Sequence, residues 1–140
     1  MREVSLALRS AYVTALRASL TFPVYGKLVP NDTSFPYIYF PTQITNNDSA
    51  KDMFSTDHTI NVEVVHKTSD TDRTYEVEQI CDQIKQIIAP LTHDDMLTLG
   101  EGLFLVDTNF ENDTELLQYT DTHTIYRKIL TFSNIIDEVE

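Results

Sequence analysis

Apolar residues recur at helical spacing over the first twenty positions. Val4, Ala7, Leu8, Ala11, Tyr12, Ala15 and Ala18 fall on one stripe and predict an amphipathic helix over 3–20. The stripe is rich in alanine, which lets another element approach closely. Leu6, Val13 and Leu20 form a second line seven residues apart, flanked by Arg2, Arg9 and Arg17. That line has two readings: a contact with a neighbouring subunit, or scattered surface apolar residues, which are ordinary. Phe22-Pro23 ends the helix, because a residue before proline is pushed out of the helical region.

The next apolar stretches have the character of strands. Val24 to Val29 reads as a short extended piece, followed by the turn-like Asn31-Asp32-Thr33-Ser34. Residues 36–44 are rich in aromatic and β-branched side chains, with Pro41 marking an edge or a bulge. The polar run 45–56 reads as a loop. In 57–67, Ile60, Val62 and Val64 alternate with Asn61, Glu63 and Val65, as in a strand. Thr68 to Asp72 offers helix caps. A second helix is predicted over about 72–89, with Val77, Ile80, Cys81, Ile84, Ile87, Ile88 and Leu91 on its apolar stripe and Pro90 as its stop.

The last third predicts strand segments at 96–99 and 102–109 around Gly100-Glu101-Gly102. An acidic loop over 110–115 and the start of another strand at 116–120 follow. A long extended run covers 122–136. Neither of its faces is purely apolar: Arg127 and Thr131 interrupt one, Lys128 and Asn134 the other. A strand apolar on both faces is covered on both sides, and another subunit is one candidate for the second cover. The order of elements predicts an α+β fold: a mainly antiparallel sheet with the N-terminal helix and the second amphipathic helix packed on one face. No linker or repeat divides the chain, so 1–140 is expected to be a single domain.

Composition narrows the function classes. The chain has 140 residues, 41% of them hydrophobic, too many for a disordered acidic tail. No apolar run approaches the roughly 18–20 residues that cross a bilayer, so no membrane partner is expected. Arg9 and Arg17 interrupt the N-terminal apolar stretch, so no clean signal-peptide core is present. The formal net charge of −12 argues against a general nucleic-acid binder, which needs a basic footprint. The charge is uneven. Arg2, Arg9, Arg17 and Lys27 against Glu3 give residues 1–30 a balance of +3, leaving −15 for the rest. Such a split either complements itself between copies of the chain or is ordinary surface pairing. Leu6, Arg9, Val13, Arg17, Leu20, Arg127 and Lys128 are the candidate subunit-interface residues.

Candidate chemistry is sparse. His93-Asp94-Asp95 sets an imidazole beside two carboxylates, the makings of a metal site or an acid–base pair. No second His or Cys cluster has ligand spacing with it, and a polar turn after a Pro-terminated helix explains it as well. Asp70 and Asp72 lack the glycine and distant glutamate of a calcium loop and fit helix capping. Asn112-Asp113-Thr114 matches the glycosylation tripeptide only formally. Cys81 is the only cysteine, which excludes an intramolecular disulfide and suits a reducing compartment. It lies on the apolar stripe of the second helix, where an inert thiol is expected. His58 and His66 share a strand face at a separation of about 26 Å, too far for one metal. Tyr37 and Tyr39 share a face suited to packing. No catalytic, cofactor-binding or metal-binding residue is assigned, and no cofactor is implied.

The order of motifs is itself informative. An N-terminal helix precedes Val24-Tyr25-Gly26-Lys27-Leu28-Val29-Pro30, and then Phe35-Pro36-Tyr37-Ile38-Tyr39. A polar loop and the strand His58-Thr59-Ile60-Asn61-Val62-Glu63-Val64 follow. A helix with Val77, Ile80, Ile84 and Ile88 facing inward comes next, and a hairpin and a terminal strand close the chain. This pattern resembles the tail-completion (tail terminator) proteins of tailed bacteriophages and their head–tail connector relatives. The resemblance implies a structural virion protein of the tail or neck, made in the host cytoplasm and without catalytic residues. It implies a homo-oligomeric ring, usually a hexamer, that ends the tail tube and contacts the tail-tube protein and neck connector proteins. DNA would pass through the ring without specific binding, and an acidic lumen would repel it. The sparse glycine and the acidic 107–121 region depart from many relatives. Two other readings stand beside it: a small α+β enzyme or ligand-binding domain using His93, Asp94 and Asp95, and a soluble acidic module that binds a basic partner.

Overall fold

A computed structural model describes residues 3–47, 55–69, 75–92, 96–100 and 102–138. The elements run in the order α1 (Ser5–Ser19), β1 (Tyr37–Tyr39), β2 (Gln43–Asn47), β3 (Ser55–Thr68), α2 (Tyr75–Ile88), β4 (Leu103–Tyr119) and β5 (Thr124–Glu138). The fold is α+β, and every pairing between the named strands is antiparallel. The sheet order is β1-β3-β5-β4, with β2 also on β3. β3 and β5 are central, and their pairing runs from Ser55↔Asp137 to Thr68↔Thr124.

The alternation expected of a half-buried strand is clean in β5. Thr124, Tyr126, Lys128, Leu130, Phe132, Asn134 and Ile136 are buried on the helix-covered face, while the intervening residues are half-buried. The mixed parity of the sequence thus resolves into one covered face that carries three polar side chains, Thr124, Lys128 and Asn134. In β3, Glu63 and Val65 are buried on the other face as well. Tyr39 and Tyr37 sit opposite them in the register, and Arg127 Nη1 lies 3.4 Å from the Glu63 carboxylate. Burial, followed by its hydrogen bond to Glu63, pushes the Tyr39 phenol up to about 12.

α1 buries Leu8, Tyr12 and Leu16, with Val4 just before it. The alanine stripe is therefore displaced from expectation. Ala7, Ala11 and Ala15 are half-buried at its margin and Ala18 is exposed, whereas Leu16 takes the central place four residues after Tyr12. Ala7, Ala11 and Ala15 have the same four-residue spacing as Leu8, Tyr12 and Leu16, and the ridge of larger side chains, with more apolar surface to remove from water, faces the core. α2 buries Val77, Ile80, Cys81, Ile84 and Ile88 as expected, with Glu76 and Glu78 in its first turn and Lys85 in its last, matching the helix dipole. Leu91 lies beyond Pro90 and is fully exposed, so it leaves the stripe.

Four segments depart from the sequence expectation. Residues 96–99 form no strand; Met96, Leu97 and Leu99 instead pack against the core as a loop. Gly102, at a φ of 79°, makes the turn into β4 that other residues resist. The acidic 110–115 run is not a loop but the middle of a 17-residue strand, paired with β5 on either side of an irregularity at Glu111. The 36–44 strand is split into β1 and β2 around Pro41, which has no donor for the ladder. Residues 45–47, expected in a loop, extend β2 opposite His58 to Thr56.

Candidate functional site

A polar cluster lies beneath α1 inside the apolar core. The Tyr12 hydroxyl donates to Asn134 Oδ1 at 2.6 Å, and Asn134 Nδ2 donates to the His58 carbonyl at 3.1 Å. Thr108 Oγ1 donates to the same Asn134 oxygen at 3.1 Å. The His58 ring is fully buried, with Thr45 Oγ1 and Thr56 Oγ1 each 2.9 Å from its two nitrogens. One helix and four strands thus share a connected polar network, which buried polar groups require. Its hydrogen bonds tie α1 to β2, β3, β4 and β5 in one relative placement.

Burial lowers the His58 pKa, and the negative charges of Glu3 and Asp57 only partly oppose this. A histidine with a depressed folded pKa binds its proton more readily when unfolded. Stability is therefore full above the unfolded value of about 6.5 and falls as the pH drops from there through the folded value. The loss is at most about 1.4 kcal/mol per pH unit for one site. Denaturant melts from pH 7.5 to 5.0 should show this decline, and His58→Gln should flatten it. An unchanged slope in the variant would assign the acid sensitivity elsewhere.

A second polar cluster lies between α2, β4 and β5. Lys128 is nearly buried, 3.2 Å from Glu115 Oε1 and 3.9 Å from Asp113 Oδ2. Burial alone would lower its pKa, but the bond to Glu115 and the charge of Asp113 outweigh this and raise it. Lys85 lies 3.7 Å from Asp113 and 4.1 Å over the Phe110 ring. Cys81 is buried beside this cluster, and burial pushes its thiol up to about 11, so it is no nucleophile at neutral pH.

The remaining candidates are surfaces. The segment after α1 runs beside β1: Tyr25 N–H donates to the Ile38 carbonyl, Ile38 N–H to that of Pro23, and Phe40 N–H to that of Gly26. This segment covers the β1 edge of the sheet. Two arginines of α1 lie against it. Arg17 donates twice to the Val24 carbonyl, at 2.9 and 2.7 Å. Arg9 donates to Gln43 Oε1 at 2.8 Å, and its Nε lies 3.9 Å from where a Cβ on Gly26 would stand. Lys27 and Leu28 project from the same segment, Leu28 at 87% exposure. Arg9, Arg17, Lys27 and Leu28 therefore form one basic, partly apolar patch.

At the opposite edge no further strand pairs with β4 among the described residues. β4 ends the strand order, and every residue from Asn109 to Tyr119 is exposed although each is part of the strand. Leu116, Leu117 and Tyr119 are 51%, 48% and 70% exposed. Two register shifts, at Leu105/Asp107 and Phe110/Asn112, irregularise the first half of the strand, and regular pairing follows from Asn112 to Tyr119. The strand has neither Lys nor Pro, the residues that usually blunt a free edge.

The expected interface residues fall into two groups. Leu6 (63% exposed), Arg9, Arg17 and Arg127 reach the surface, the arginines with partners in their own chain. Val13 and Leu20 pack against the core, and Lys128 faces α2. Lys27 and Leu28 are not among the residues expected at an interface, and the exposure of Leu28 is visible only in the structure. His93, Asp94 and Asp95 lie outside the described residues, as do Asp70 and Asp72. Among the described residues no three His, Cys, Asp or Glu side chains gather to hold a metal ion, and no helix is long and apolar enough to cross a membrane.

Comparison with known proteins gives two findings. The family model described as "Tail completion protein gp17" matches residues 5–137. Among the solved structures, a chain from the "Virion of native gene transfer agent (GTA) particle" has the same fold, with a TM-score of 0.79 at 17% identity, over 98% of this chain and 99% of that one. No curated protein sequence matches the chain.

Proposed function

Because the chain belongs to the tail completion protein gp17 family, a structural family of the viral tail, we propose that it forms a ring at the head-proximal end of a phage-type tail. The ring ends polymerisation of the tail tube and joins the tube to the neck. Its partners are further copies of itself, six in the simplest arrangement, together with the tail-tube protein and neck connector proteins. DNA passes through the hole without specific binding, in keeping with the −12 charge. The protein does no catalysis; it is made in the host cytoplasm and ends in the virion. The observation that carries this reading is the family match over nearly the whole chain. The β4 edge and the basic patch on the opposite edge support it, since a ring subunit needs two different contact surfaces. The enzyme reading built on His93, Asp94 and Asp95 falls on residues outside those described, and no described geometry favours it.

Tubes polymerised from the cognate tail-tube protein provide the test. Added chain should stop elongation and appear by electron microscopy as a ring on one end of each tube. Tubes that keep growing with bare ends would overturn the proposal.

A further inference from the structure

We propose that the exposed half of β4 in one copy docks on the Arg9–Arg17–Lys27–Leu28 patch of the next copy. The inference rests on the ring reading and names the contact that would build the ring. Three observations carry it.

The two surfaces lie on opposite edges of one sheet. The patch sits on the segment that covers β1, and α1 ties it to β2 through Arg9 and Gln43. The β4 arm is at the far end of the strand order. A contact between unlike surfaces at opposite ends of a subunit is heterologous, and it closes into a ring when the rotation per copy permits.

Their charges are opposite. The arm carries Asp107, Glu111, Asp113, Glu115 and, at its turn, Asp121. Lys85 and Lys128 of the same chain answer Asp113 and Glu115, so the arm keeps an excess of negative charge. The patch has three cations. Arg9 and Arg17 spend their described hydrogen bonds on neutral oxygens, which leaves their charges unneutralised by those contacts. Complementary charge of this kind sets register and suppresses wrong pairings.

Both surfaces also present apolar groups that one subunit leaves in water: Leu116, Leu117 and Tyr119 on the arm, Leu28 on the patch. An aromatic and aliphatic centre ringed by charge is the usual anatomy of a specific protein interface.

The test uses two full-length variants with complementary defects. The first, Lys27→Glu/Leu28→Glu, spoils the patch and keeps the arm. The second, Leu116→Lys/Leu117→Lys, spoils the arm and keeps the patch. All four positions are exposed, so circular dichroism and melting should match the wild type. The wild type should form rings, read by light scattering and electron microscopy. Each variant alone should lose them. Mixed one to one, the variants have one intact contact between them and should give a heterodimer and nothing larger.

Rings from either variant alone would place the contact elsewhere while leaving the ring reading intact. Self-dimers of the first variant would mean that the arm pairs with itself, which also overturns the inference. A wild type that stays monomeric with its tail-tube protein present would overturn the ring reading. The mixture would still judge this contact, and absence of the heterodimer would sink it. Should a variant misfold, zero-length carbodiimide cross-linking of mixed unlabelled and ¹⁵N-labelled wild type decides instead. Links from Lys27 to acidic residues of 107–121 should then join differently labelled copies, and links confined to single copies would refute the contact.

Discussion

Tyr12→Ala should lower the stability of this protein by about 3–5 kcal/mol, the usual cost of removing a buried aromatic ring. Tyr12 is fully buried, and its ring lies edge-on to both Phe40 and Phe132, with centroids 6.1 Å apart in each case. It is the point where α1 meets the sheet. The surrounding side chains come from a helix and from paired strands, so they cannot collapse far into the cavity that is left. Domains of this kind hold only about 5–15 kcal/mol in all, and the melting temperature should fall by roughly 10–20 °C. Tyr12→Phe keeps the ring contacts and loses only the hydroxyl, so it should cost about 1 kcal/mol. Equal losses from the two substitutions would mean that the hydrogen bond, rather than the packing, secures α1.

Asn134→Leu is expected to cost about 2–3 kcal/mol, although the volume is nearly conserved. It strips the Tyr12 hydroxyl of the Asn134 oxygen, its acceptor, in a fully buried site. A buried donor left unpaired carries its whole desolvation penalty. Half-buried Thr108 can turn towards water and loses less. The diagnostic result is the double variant: Tyr12→Phe added to Asn134→Leu should recover part of the loss, because removing both partners is cheaper than stranding one. Urea denaturation of the four proteins measures this coupling. Additive losses would show that the pair is not energetically linked.

Much of the fold was legible because it obeys a period. The stripe of α2 from Val77 to Ile88 follows from burying one face, as does the alternation of β3 from Ser55 to Val62, beyond which Glu63 and Val65 are buried on the other face too. Asn134 and Lys128 read as interruptions of an apolar strand. They are instead the polar members of its covered face, each satisfied by groups distant in sequence. The sequence could not show this, because Tyr12 is 122 residues away from Asn134.

The β4 arm was the chief surprise. Glu111 to Glu115 has no apolar residue, so its pattern does not mark it as a strand, whereas 102–109 and 116–120 on either side read as strand segments. The arm is held extended by pairing with β5, and the turn is closed by Thr120 N–H donating to the His123 carbonyl. Residues 96–99 are the converse: their apolar content suggested a strand, yet they pack on the core as a loop.

What the sequence determined by itself was the class of fold, the two helices and the central strands, together with the uneven charge. Those properties depend on local periodicity and composition, which one chain segment carries alone. What only the tertiary structure decided was where the charges gather. Arg9, Arg17 and Lys27 are scattered over eighteen residues of sequence yet meet on one edge of the sheet, because α1 and the segment after it fold back on β1 and β2. The carboxylates of the 107–121 region come to lie on the other edge, because β5 claims β4 as its outer partner. Polarity between two edges is a property of strand order, and long-range pairing sets that order.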